Sequence, residues 1–272
     1  MPPLPLTALD LAHFQTFGFL VLRDYLASPV ALCKELKSAL VGSKPLQSSV
    51  ATFTFAPLMS QSTPHSLALL DALAPIASTL LGGQALPIRA KGQRYEGATS
   101  WHRDSSGDPP SLGCLAYLEG IPATGAALHV LPGSHQPEFA APVADYLAHG
   151  GGNPAQPFTK ALPFHPIQAQ PSDVILFDER LYHASPCPAP RLQFRVDYML
   201  APTDTYQSQA CHAYLAQIFD ARWDGGYDPD SHPNYDQAWL TWDRPWVEVL
   251  ARLGAYTLAW AQEAAMRSKR SL

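Results

Sequence analysis

The chain has 272 residues, of which 47% are hydrophobic and only 15% charged, with 27 prolines and a net charge of −5. Low charge with an aromatic share of 10% excludes wholesale disorder, and the negative balance argues against a nucleic-acid surface, which carries a basic patch. Leu67–Leu81 is the most apolar stretch; Asp71 and Pro75 interrupt it and it falls short of a bilayer width, so no membrane span is expected. Met1-Pro2-Pro3 lacks the basic and apolar regions of a secretory signal. Cys33, Cys114, Cys187 and Cys211 form no CxxC pair and read as free thiols in a reducing cytoplasm. Arg267, Lys269 and Arg270 read as a solvated tail.

In chain order, residues 7–17 predict a helix capped by Thr7 and ended by Gly18, followed by a buried strand over Phe19–Leu22. Ser28-Pro29 starts a second helix that runs to about Leu40, because proline at the first helical position gives up no hydrogen bond. Thr63-Pro64 repeats the signal and Gly82-Gly83 closes that region, with Pro75 expected to split it into two short helices. Short β-like runs follow over Leu86–Lys91, Leu112–Leu118, Ala127–Leu131, Val174–Phe177 and Leu192–Leu200, a pattern of sandwiches and barrels. Pro132–Pro171 reads as a long irregular, lid-like loop. Beyond Thr203 the chain carries Trp223, Trp239, Trp242, Trp246 and Trp260, and Trp246–Met266 has helical spacing. The whole chain, 1–272, reads as one domain: a β core over about 85–200 with helices flanking it on both sides.

Trp101-His102-Arg103-Asp104 is the most informative stretch. In a strand, residues i and i+2 share a face, so His102 and Asp104 project together while Arg103 points away. A histidine and a carboxylate are two-thirds of the 2-His-1-carboxylate set that suits oxygen-activating non-haem Fe(II). His183, where the buried run Val174–Phe177 passes into a polar loop, is the candidate third ligand. Leu192–Tyr198 alternates cleanly, with Gln193, Arg195 and Asp197 on one face. A guanidinium on that face could hold a carboxylate bidentately.

Four segments in order resemble the phytanoyl-CoA dioxygenase family of Fe(II)/2-oxoglutarate-dependent oxygenases. They are Phe17–Leu22, Trp101–Asp104, Gly125–His135 with its Pro132-Gly133-Ser134-His135, and Ser172–Phe177 leading to His183-Ala184-Ser185 and then Arg195. The resemblance implies a mainly β fold with flanking helices, a cupin-like double-stranded β-helix or jelly roll. It implies that His102, Asp104 and His183 bind Fe(II), and that Arg195 binds the distal carboxylate of 2-oxoglutarate, with Arg191 as the alternative. Ser185 matches the family's His-x-Ser, whose hydroxyl assists that clamp. Gln93 lies where the family places another cosubstrate contact, with Lys91 competing. The family's Asn after His-x-Ser is absent, replaced by Pro186-Cys187-Pro188-Ala189-Pro190.

The implied reaction consumes O2 and 2-oxoglutarate and releases succinate and CO2. A carboxylate at Asp104 favours hydroxylation, desaturation or cyclisation over halogenation, which needs a small residue there. The partner expected is a small-molecule substrate, with no nucleic acid and no membrane; oligomeric state is left open. Lys and Arg total 18 and do not cluster near the motifs, which favours a small or apolar substrate, such as one of secondary metabolism. The competing reading keeps the fold and the metal but makes the protein a binder, isomerase or hydrolase. His129 and His135 read as structural. So do His65, His149, His165, His212 and His232, and Asp224–Asp230 reads as a solvated acidic loop.

Overall fold

The computed structural model describes residues 6–43, 45–47, 51–121, 128–151, 163–186, 189–218 and 243–255. Four of the C-terminal tryptophans, the acidic loop 224–230, His232, Cys187, the basic tail and part of the Gly125–His135 segment lie outside them.

The first helix, α1 (Ala8–Phe17), begins as its sequence dictates: the Asp10 N–H donates to the Thr7 hydroxyl while the Thr7 N–H donates to the Asp10 carboxylate. Gly18 ends it at φ +79°, where a Cβ would stand 2.5 Å from His135 Nδ1, so only glycine fits. The turn delivers β1 (Phe19–Leu22), which then pairs with β9 (Val174–Asp178).

Two antiparallel sheets face each other as a jelly roll. The larger runs β1-β9-β6-β11-β4-β3-β2, with β6 Ser111–Tyr117, β11 Arg191–Leu200, β4 Ala85–Gly97, β3 Ala51–Pro57 and β2 Leu46–Gln47. The smaller runs β5-β10-β7-β8, with β5 Thr99–His102, β10 His183–Ser185, β7 Leu128–Val130 and β8 His165–Ile167. The larger sheet's outer face carries Ile88, Ala90, Leu192, Phe194, Val196 and Tyr198. Against it pack α2 (Pro29–Ala39), α3 (Pro64–Leu81) and α6 (Pro245–Arg252). Phe19, Leu115, Leu128, Val130, Ile175 and Phe177 form a second core between the sheets. Alternation along the strands separates the two environments, because successive side chains point to opposite faces.

Several expectations need correction. Pro75 does not split the helix: α3 is continuous over 18 residues. Pro75 has no N–H to give the Asp71 carbonyl, and on either side of that carbonyl the Tyr198 and Tyr25 hydroxyls donate to Leu70 at 2.6 Å and Ala72 at 3.1 Å, fastening this turn to β11 and to the loop after β1. By length and composition α3 is the one described helix apolar enough to cross a membrane, but Leu67, Leu70, Leu73 and Ile76 are buried in the helix–sheet core. The Pro132–Pro171 segment is not a bare loop. It holds α4 (Pro137–Tyr146), a π-helical turn (Leu147–Gly151) and β8. The C-terminal helix α6 stops at Arg252 instead of continuing, with Gly254 at φ +69°. Strands β2, β3, β8 and β10 have no counterpart among the strands expected from the sequence, which leaves His183 in a polar loop.

Candidate active site

His102 ends β5 and His183 begins β10, and the two are direct partners across that antiparallel pair, with ring centroids 4.2 Å apart. Asp104 lies beyond the end of β5 instead of within it; its N–H donates to the Glu179 carbonyl at 2.9 Å, and this turn brings its carboxylate to the histidines. One ligand atom from each of the three side chains lies within 4.8 Å of the others. Asp104 Oδ1 is 3.5 Å from His102 Nε2 and Oδ2 is 3.4 Å from His183 Nε2. Each imidazole Nδ1 faces a backbone carbonyl, Ser100 for His102 at 2.7 Å and Leu181 for His183 at 2.9 Å. An Nδ1–H donated there leaves the Nε2 lone pair pointing at the carboxylate. Burial and the adjacent His102 ring push His183 down to about 4, so it is neutral near pH 7. Burial opposes charge on Asp104, but Arg195, His183 and His102 outweigh it and hold the carboxyl well below its usual range. Two imidazoles and one carboxylate on one side of an open cavity are the donor set of a facial Fe(II) site.

The Pro132–His135 segment sets the position of His183. The Leu131 N–H donates to the Tyr182 carbonyl, and the Tyr182 N–H donates to the buried Ser134 hydroxyl, both at 2.9 Å. The His135 Nε2 lies 3.2 Å from the Gln15 carbonyl, tying the segment to α1.

The cavity between the sheets has a volume of about 590 Å³. Its floor is the inner face of β4 and β11, arranged as cross-strand pairs: Arg89 opposite Asp197, Lys91 opposite Arg195, Gln93 opposite Gln193, and Tyr95 opposite Arg191. Gly113, beside Asp197 and opposite Phe177, lets the Phe177 ring lie across β6, since a Cβ there would meet it at 2.6 Å. That ring then stands 5.0 Å from His183 and under the Arg195 guanidinium at 5.3 Å.

Arg195, the expected cosubstrate clamp, is ion-paired with three carboxylates. Its guanidinium meets Asp104 at 2.8 Å, Glu179 at 3.0 Å and Asp197 at 2.5 Å. Arg191 lies at the other end of the same strand face, with its guanidinium 4.3 Å from the Tyr95 ring centroid and Nη1 donating to the Gly97 carbonyl. Tyr117 is the cross-strand neighbour of Gln193, and Arg191, Ser185 and Arg195 all act against burial, which pushes the Tyr117 hydroxyl up. Gln93 accepts from Gln193 at 2.8 Å on the floor between the two arginines.

Glu179 and Tyr214 were not anticipated. Glu179 is 1% exposed and joins Arg195 to the Tyr214 hydroxyl, 2.6 Å away on α5 (Thr205–Ile218). Burial, with Asp197 and Asp104 nearby, pushes Glu179 up to about 8. Alternation carried the signal, since Ile175, Phe177 and Glu179 continue one face of β9. The basic residues do cluster, contrary to the sequence reading: Arg89, Lys91, Arg103, Arg191 and Arg195 all line the cavity. Two strands, β4 and β11, and the turn after β5 bring together cations that are dispersed along the chain.

Residues 67–187 match the family model described as Phytanoyl-CoA dioxygenase (PhyH). No curated protein matches the chain. HygX from Streptomyces hygroscopicus, solved with nickel and 2-oxoglutarate bound, shares 20% identity over 72% of this chain and 88% of its own, with a TM-score of 0.57. EctD from S. alaskensis, in its apoform, shares 21% over 72% and 78%, at 0.54. The non-heme alpha ketoglutarate dependent epimerase SnoN from nogalamycin biosynthesis shares 17% over 73% and 87%, at 0.55. At these identities the likeness is one of fold.

Proposed function

We propose that this chain, whose residues 67–187 are of the phytanoyl-CoA dioxygenase family, is an Fe(II)- and 2-oxoglutarate-dependent oxygenase that hydroxylates a small organic molecule. The observation that carries the reading is the meeting of His102, Asp104 and His183 beside a polar cavity floor. These three side chains would hold the iron. Bound together, iron and 2-oxoglutarate supply oxidising chemistry in which O2 is consumed, succinate and CO2 leave, and the substrate gains an oxygen atom.

The residues of the chain divide the remaining work. Ser185 is two residues beyond His183 on β10, about 6.6 Å further along the strand, and acts on the Tyr117 hydroxyl together with Arg191, whose effect there exceeds that of Arg195. We therefore place the distal carboxylate of 2-oxoglutarate with Arg191, Ser185 and Tyr117, flanked by Gln93 and Gln193. The guanidinium of Arg195 instead holds the Asp104 carboxylate in its orientation and keeps it ionised. Phe177 and Leu128 screen the centre from water.

The test is an anaerobic titration of the protein with Fe(II) and 2-oxoglutarate, followed by the visible charge-transfer band of the chelated cosubstrate. A saturable band, absent in Asp104→Ala, is expected. No band in folded, iron-loaded protein overturns the reading in favour of a non-oxidative metal-binding protein. With substrate in hand, a product heavier by one oxygen supports hydroxylation, whereas a product of unchanged mass and inverted stereochemistry marks an epimerase, the reaction of SnoN.

A further inference from the structure

Of the three candidate metal ligands, Asp104 is the one that no strand fixes. His102 and His183 face each other across β5 and β10, whereas Asp104 follows the end of β5 in the turn that leads towards β6. A carboxylate there keeps one orientation only if its surroundings impose it, because ordering a turn and a side chain costs conformational entropy. Glu179, just beyond β9, supplies two holds. Its carbonyl accepts from the N–H groups of Asp104 at 2.9 Å and Ser105 at 3.1 Å, which sets the turn. Its Oε1 accepts from Arg195 Nη2 at 3.0 Å, and the same nitrogen donates to Asp104 Oδ2 at 2.8 Å, which sets the carboxylate.

Glu179 is itself held. Its N–H donates to the Ser111 carbonyl at the start of β6. Its Oε2 lies 2.6 Å from the Tyr214 hydroxyl on α5. Three residues on, and so on the same face of that helix, Gln217 Nε2 donates to the Asp104 carbonyl at 3.3 Å. Helix α5 therefore reaches Asp104 twice, directly from Gln217 and, from Tyr214, through Glu179 and Arg195. Packing alone does not call for a carboxyl at position 179. Its neighbours on that face of β9, Ile175 and Phe177, are apolar, and a buried ionic network is often no more stable than apolar side chains of the same volume. What the network adds here is a fixed orientation for the Asp104 carboxylate.

We propose that Glu179, anchored by Tyr214, is the positioning residue of the metal centre, holding both the main chain and the carboxylate of Asp104 in place for the ion. Neither residue needs to touch the metal; both act through Arg195 and the turn. Without the Tyr214 hydroxyl the Glu179 carboxyl can rotate, and Arg195 Nη2 loses one of the two acceptors that aim it at Asp104. The inference rests on the oxygenase reading only for the presence of a metal at His102, Asp104 and His183.

The test titrates the full-length metal-free protein anaerobically with Co(II), whose visible d–d band reports the ligand set, and follows thermal unfolding of the same samples before metal is added. Asp104→Ala marks the full loss. Absence of a saturable band in the unsubstituted protein is a failure of the metal reading and takes the positioning role with it. With the band present, Tyr214→Phe should weaken Co(II) binding about tenfold and alter the band shape, although the ring and its packing remain. Glu179→Met should weaken it by as much or more. Glu179→Gln should recover most of the affinity, because its amide oxygen still accepts from Arg195 and its NH2 group still meets the phenol. A merely structural role would lower the melting temperature and leave the Co(II) affinity and spectrum of the folded variants unchanged, and that outcome overturns the proposal. So does a Glu179→Gln protein that binds Co(II) no better than Glu179→Met. Tyr214→Phe decides the point even where Glu179→Met fails to fold.

Discussion

Arg191 and Arg195 lie four residues apart on one face of β11, and their neighbours assign them different work. A guanidinium that meets a carboxylate in a dry site contributes about 1.5–3 kcal/mol. Arg191→Gln should therefore raise the KM for 2-oxoglutarate roughly ten- to a hundredfold and leave kcat little changed. Arg195→Gln should leave that KM nearly unaltered and instead cost about 3–5 kcal/mol in chemical denaturation, because the buried, ionised Asp197 and Asp104 lose a cation they share. An unchanged KM in Arg191→Gln would return the clamp to Arg195. Glu179 offers a pH test in the metal-free protein. Its carboxyl is raised from 4.5 to about 8 by burial and by Asp197, so between those values the native state keeps a proton that the unfolded chain has released. This group's contribution to stability must then fall as pH rises through that window. Glu179→Gln should flatten the decline, and a melting profile that is equally steep in the variant would show that the proton lies elsewhere. The meeting of His102, Asp104 and His183 was legible in the sequence because each sits in a motif that a metal site would demand. The choice between the two arginines was not legible, because both have the same parity on the strand and only the opposite sheet distinguishes them.

At the scale of elements, helix starts were readable and helix interiors less so. The Thr7–Asp10 box and Gly18 fix α1 from local sequence alone. Helix α3 begins at the same Ser/Thr-Pro signal as α2, yet the Thr63 side chain makes no capping bond to the helix. Glu35, on α2, caps it from outside: the His65 and Ser66 N–H groups both donate to its carboxylate at 2.8 Å. The carboxylate also opposes the positive end of the helix dipole. Glu35→Ala should cost about 1–2 kcal/mol, the range of a strong N-cap, with Thr63→Val costing less. Equal losses in urea unfolding would contradict this division. No local pattern reveals such a cap, because its two halves are 30 residues apart in sequence. Pro75 misled for a related reason. Propensity marks a break, but Tyr25 and Tyr198 bind the flanking carbonyls of Ala72 and Leu70 from a loop and from β11, and packing against the sheet keeps the helix continuous past the one carbonyl, that of Asp71, which proline leaves without its helical donor.

At the scale of the molecule, the two sheets contribute unlike halves of the site. The three candidate metal ligands come from the smaller sheet or its edge, His102 and His183 on strands β5 and β10 that are already paired and Asp104 just beyond β5. The floor with Arg191, Gln193 and Arg195 belongs to the larger sheet. Without ligands, the Arg195–Asp104 ion pair is a direct polar link between the halves at the centre. A metal ion held by His102, Asp104 and His183 ties together strands that are already joined. A dicarboxylate reaching from that ion to Arg191 would tie sheet to sheet. Redox-inert Ni(II) alone should therefore raise the melting temperature modestly, and 2-oxoglutarate alone should barely change it. Both together should raise it by more than the sum, since a ligand at about a hundred times its Kd adds about 2.7 kcal/mol to the native state. In Arg191→Gln the nickel increment should survive and the 2-oxoglutarate increment should vanish. Additive shifts in the unsubstituted protein would mean that the two ligands do not share a site, and the bridge between the sheets would then have to be abandoned.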